Sequence, residues 1–78
     1  MEYIIVRLNN YNHEIFHSKK SKKISVLLNG EKNGYVDEVI VVEEGFVEIC
    51  ADILDAQAQV VEVKNTTVKT PLEITICV

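Results

Sequence analysis

Apolar residues recur at every second position through most hydrophobic stretches of this chain, a spacing that builds strands rather than amphipathic helices. Ile4, Val6 and Leu8 form one such stripe, Ile24, Val26 and Leu28 a second, and Leu72, Ile74, Ile76 and Val78 a third. Successive side chains of an extended backbone point to opposite faces, so each stripe becomes the buried face of a strand. Residue type agrees with spacing, since Val, Ile and Thr supply 25 of the 78 residues and β-branched side chains pack well on a pleated surface. With 47% of the chain apolar, disorder is excluded, and 78 residues suffice for one core but not two, so a single domain over residues 1–78 is expected. A domain of this size buries only about 60% of its unfolded surface, which makes self-association an economical source of further stability.

Turn chemistry divides the strands. Asn9-Asn10-Tyr11-Asn12 follows the first stripe and precedes the apolar patch Ile15-Phe16, which predicts a first hairpin. Asn29-Gly30 and Asn33-Gly34 both offer the positive φ angles of a tight hairpin turn, and only one can be the tip. A tip at Asn33-Gly34 sets Leu28 opposite Val39 and Val26 opposite Val41, whereas a tip at Asn29-Gly30 sets Val26 opposite Asn33, so apolar pairing favours the former. A two-residue turn at Glu44-Gly45 pairs Val42 with Val47, Ile40 with Ile49, Glu38 with Ala51 and Val36 with Ile53, seven of eight apolar and all on one face. The other face then pairs Val41 with Glu48, Val39 with Cys50 and Asp37 with Asp52, and that last opposition predicts a frayed end. Leu54-Asp55-Ala56-Gln57-Ala58 predicts one turn of helix, after which Gln59–Lys64 and Leu72–Val78 resume strand character, Pro71 standing where a missing N–H is tolerated. The expected fold is all-β, a small antiparallel β-sandwich or open barrel of five to seven short strands.

Residues 24–54 combine a strand, Asn29-Gly30, Gly34, a second strand, Glu44-Gly45 and a third strand. This layout resembles the PEGA family of small β-sandwich modules, with Glu43-Glu44-Gly45-Phe46 standing where that family carries Pro-Glu-Gly-Ala. Glu44 and Gly45 match; Val36-Asp37 replaces the Thr-Pro that usually follows the second glycine. The resemblance covers about 40% of the chain. It implies a non-catalytic interaction or scaffold module, of a kind usually found in the cell envelope.

The net charge of −4 hides an asymmetry. Residues 1–23 hold five cations against two carboxylates, a net +3, and residues 24–78 hold three against ten, a net −7. Ser18-Lys19-Lys20-Ser21-Lys22-Lys23 reads as a mobile basic loop at 18–23, whose like charges disfavour packing. Those lysines have no aromatic platform beside them and the remaining body repels a polyanion, so nucleic acid is a disfavoured partner. The opening residues lack a basic start and a seven-residue apolar stretch, so neither a secretion signal nor a membrane span is expected. Cys50 and Cys77 are too few and too far apart for a disulfide scaffold, which predicts free thiols in the cytoplasm.

His13-Glu14-Ile15-Phe16-His17 spells H-E-x-x-H, in which two histidines one helical turn apart bind Zn²⁺ and the glutamate activates the metal-bound water. The segment runs straight into the lysines, carries little amphipathic stripe and is followed by no further histidine. As a strand it places His13, Ile15 and His17 on one face, and the extended reading is preferred, with a minimal zinc-dependent hydrolase using His13, His17 and Glu14, or a weak nucleic-acid binder through the lysine loop, as the alternatives. The carboxylates Asp37, Glu38, Glu43, Glu44, Glu48, Asp52 and Asp55 form no calcium ladder, and no histidine–acid partner attaches to either cysteine by spacing. The reading is therefore a non-enzymatic interaction or structural module without cofactor, catalytic residue or metal. It binds itself or a protein partner through a sheet edge or through the mixed face carrying Val39, Val41 and Cys50.

Overall fold

The computed structural model describes residues 1–9 and 23–77. Seven strands run in chain order: β1 (Glu2–Leu8), β2 (Ser25–Leu28), β3 (Glu31–Tyr35), β4 (Val39–Val42), β5 (Gly45–Ala51), β6 (Gln59–Val63) and β7 (Leu72–Ile76). They form a three-stranded sheet in the order β4-β1-β7 and a four-stranded sheet in the order β3-β2-β5-β6, and no helix occurs among the described residues. The fold is all-β and sandwich-like. Alternation along each strand sends Ile4, Val6, Ile40, Ile74 and Ile76 inward from the first sheet, where they meet Val26, Leu28, Ile49, Ala51 and Val63 of the second. Of the stripes predicted at both ends of the chain and at β2, Ile4, Val6, Val26, Leu28, Ile74 and Ile76 are buried in this core, Leu8, Ile24 and Leu72 pack against it, and Val78 lies outside the described residues.

The β2–β3 hairpin turns at Asn29-Gly30, not at Asn33-Gly34. Leu28 pairs with Glu31, and the two turn residues have φ of 52° and 87°, the mirror-image geometry whose twist matches right-twisted strands. Apolar pairing misdirects the choice because β3 is an edge strand exposed along its whole length and offers β2 no core-forming partner. Val26 is buried instead by the opposite sheet and by its pairing with Ala51. Gly34, with φ of 81°, serves a different purpose: the β2–β3 register shifts beside it, and its bare Cα lets Ile40 come close.

The hairpin expected about Glu44-Gly45 does not form. Val42 pairs with Glu2 and Ile40 with Ile4, whereas β5 lies between β2 and β6, with Ile49 opposite both Leu28 and Gln59. Glu43 and Glu44 carry the chain from one sheet to the other. A two-residue turn of mirror-image type needs positive φ at both central residues, and only Gly45, at 131°, has one. Ile40 and Ile49 are both buried as expected, but they stand in facing layers rather than side by side. The expected Asp37–Asp52 opposition therefore never arises: Asp37 binds Arg7 at 3.0 Å and Asp52 meets Lys32 at 3.6 Å.

Two further features depart from the sequence reading. Leu54 and Asp55 form a turn and residues 56–58 are irregular rather than helical, Asp55 taking φ of 68°, which takes the backbone off the right-handed helical path. One strand pair is parallel, β1 with β7, from Ile4 beside Leu72 to Leu8 beside Ile76. Ahead of β7, Thr66 extends that side of the sheet: its Oγ1 accepts from the Tyr3 amide at 2.7 Å, and its N–H and O–H both donate to Glu2 Oε1 at 2.8 and 2.6 Å. The partner of the predicted first hairpin, the H-E-x-x-H segment and residues 18–22 of the basic loop lie outside the described residues.

Candidate functional site

Val39 and Val41 flank buried Ile40, so the pleat that fills the core with one isoleucine turns both valines outward. They remain 43% and 48% exposed. On β1, Tyr3 and Ile5 flank buried Ile4 in the same way and sit directly opposite, Tyr3 beside Val41 and Ile5 beside Val39. Four apolar side chains thus occupy two adjacent cross-strand pairs on the outer face of the three-stranded sheet. Tyr3 and Ile5 escape the sequence reading because Ile4, Val6 and Leu8 claim attention as the core stripe; the signal available was a second apolar pair between them. Beyond Ile5, Arg7 closes the face by donating to Glu73 at 2.8 Å and Asp37 at 3.0 Å. Those two bonds raise the Arg7 pKa, Glu73 contributing more than Asp37.

Cys50 does not share this face. It belongs to β5 in the other sheet, paired with Leu27, and its thiol points weakly at the carbonyls of Ala51 (3.4 Å) and Ala56 (3.8 Å). Cys50 and Cys77 are both free thiols.

A cleft of about 740 Å³ opens at the end of the sandwich where Glu43 and Glu44 cross between the sheets. Leu28, Val42 and Val47 reach into it from the core side. Phe46 stands at its mouth, 73% exposed, because it alternates with half-buried Val47 on β5 and falls on the outer side. The opposite wall is the β2–β3 turn, held against β5 by Asn29, whose N–H donates to the Glu48 carbonyl at 2.8 Å and whose Oδ1 accepts from the Glu48 amide at 3.0 Å. Glu31, Glu43 and Glu44 line this cleft. None of the three pairs with a cation among the described residues.

The chain matches no family model, no curated protein and no solved structure.

The chemistry-bearing segments can be placed only in part. His13, Glu14 and His17 lie outside the described residues, as do Lys19, Lys20 and Lys22. Lys23 is held by Glu38 at 2.7 Å and sits 5.1 Å from the centre of the Tyr35 ring, and its contact with Glu38 raises its pKa. Among the described residues, no three His, Cys, Asp or Glu side chains gather where they can hold a metal ion.

Proposed function

We propose that this chain is a non-enzymatic interaction module that associates with copies of itself through the outer face of its three-stranded sheet. The observation that carries the reading is the in-register quartet Tyr3, Ile5, Val39 and Val41, apolar on a face that points away from the core. A monomer leaves Val39 and Val41 exposed and Tyr3 and Ile5 partly so, whereas contiguous apolar surface of this kind drives association. Val39 and Val41 of the quartet belong to β4, an edge of its sheet, so a second copy can also extend the ladder by antiparallel pairing with β4. The Arg7, Asp37 and Glu73 cluster at one end then sets the register by charge rather than supplying affinity. The resemblance of residues 24–54 to PEGA modules supports a scaffold role, and the thiols Cys50 and Cys77 support a reducing compartment such as the cytoplasm.

Light scattering at high micromolar concentration tests the proposal. A dimer or larger species is expected, and Val41→Lys or Val39→Glu should return it to the 8.8 kDa chain while leaving the circular dichroism of the sheet unchanged. A strict monomer of the wild-type chain at that concentration would overturn the reading.

A further inference from the structure

We propose that the cleft at the sheet crossover docks a cationic peptide segment that carries a large apolar side chain between its positive residues. The volume of about 740 Å³ lies within the range of clefts that hold a ligand. Three of its lining residues are apolar side chains left exposed: Phe46 at 73%, Met1 at 87% and Val41 at 48%. A side chain inserted there gains the contacts that a buried aromatic or aliphatic anchor makes at a protein interface.

Charge selects the partner. Asp37 and Glu73 are matched by Arg7, Glu38 by Lys23, Asp52 by Lys32 and Glu62 by Lys64. Glu31, Glu43 and Glu44, which rim the cleft, have no such cation among the described residues. Three like charges about one opening attract lysine and arginine and repel an anionic ligand, and an arginine reaching the Phe46 ring gains a cation–π contact as well. A second copy of this chain brings a net charge of −4, and its own lysine run at 18–23 holds only serine between its cations, so the occupant is a separate, basic chain with an apolar residue between its charges. This inference stands apart from self-association, because it uses the end of the sandwich rather than the sheet face and shares only Val41 with it.

The test is a calorimetric titration of the full chain with a short synthetic peptide in which lysines flank a central leucine, followed in parallel by amide chemical shifts. The expected result is saturable binding with shifts concentrated at residues 43–47 and at Glu31. Exposed ion pairs are worth up to about fivefold each, so Glu31→Gln, Glu43→Gln and Glu44→Gln combined should weaken binding by roughly tenfold or more. Phe46→Ala and replacement of the peptide's leucine by serine should each weaken it several-fold. No saturable binding at millimolar peptide would overturn the proposal, and so would equal affinity for the leucine and serine peptides, which marks diffuse charge attraction. Repeating the titration in Val39→Ser, a change outside the cleft, separates the two readings. Binding retained there while self-association falls supports the cleft on its own; binding absent from a chain that still self-associates refutes the cleft alone.

Discussion

Gly34 is the position where a single added methyl group meets the most resistance. Its φ of 81° is a backbone conformation that costs an L-residue about 1 kcal/mol or more. A Cβ there would come within 2.6 Å of Cγ1 and 2.8 Å of Cδ1 of Ile40, a core side chain only 4% exposed. Forcing an extra carbon into a packed core costs about 1–3 kcal/mol, so Gly34→Ala is expected to lose about 2–4 kcal/mol in total. Gly30 is the internal control: its φ is similar at 87°, but no atom lies within 4 Å of the added carbon, so Gly30→Ala should lose only the backbone share of about 1 kcal/mol. Urea unfolding followed by far-ultraviolet circular dichroism gives both values, provided the denaturant slopes agree. A domain this small has only about 5 kcal/mol to lose, so the difference will be plain in the midpoints. Combining Gly34→Ala with Ile40→Ala should be about 1 kcal/mol less damaging than the sum of the single changes, because the new methyl group fills part of the space vacated. Equal losses at Gly30 and Gly34 would refute the reasoning, since they would mean that Ile40 moves aside without cost.

Glu2 has its pKa lowered by the Thr66 hydroxyl first and the Thr66 amide second, so its contribution is present above the ordinary glutamate value of 4.5 and is lost as pH falls through the lowered folded value. Acid titration of stability should therefore show a fall below pH 4.5 that Glu2→Gln and Thr66→Val both flatten; an unchanged profile in both would contradict the contact. Asn29→Ala should lose about 2 kcal/mol by chemical denaturation, half from φ of 52° and half from the lost bond to the Glu48 amide, and Asn29→Gly should recover the backbone half. Ile49→Ala should lose about 2–5 kcal/mol and Phe46→Ala less than about 0.5 kcal/mol, since one is fully buried and the other 73% exposed; comparable thermal shifts would contradict that placement.

Faces were legible in the sequence, and neighbours were not. Ile4, Val6, Val26, Ile40, Ile49, Ile74 and Ile76 are all inward, as alternation requires, because period two is a property of each strand by itself. Which strand lies beside which is a property of the whole sheet. The stripe from Val36 to Val42 and the stripe from Val47 to Ile53 fit each other equally well across a turn or across the core, and apolar pairing does not separate the two arrangements. What decides is the backbone: Glu44 lacks the positive φ that a two-residue turn needs, and Asn29 has it. The candidate surface follows the same division. Val39 and Val41 could be read as outward from β4 alone, whereas their neighbours Tyr3 and Ile5, and the separation of Cys50 onto the other sheet, depend on β4 pairing with β1.

The parallel partnership of β1 and β7 has a mechanical consequence. Tension applied at the start of β1 and the end of β7 pulls the two strands past each other along their length, loading the ladder from Ile4–Leu72 to Leu8–Ile76 in shear. Its slanted hydrogen bonds share such a force and must give way together, whereas an antiparallel hairpin pulled from its open end parts one bond at a time. Strung between two anchors attached at those points, this small sandwich would act as a clamp whose resistance to stretching exceeds what its thin core alone suggests.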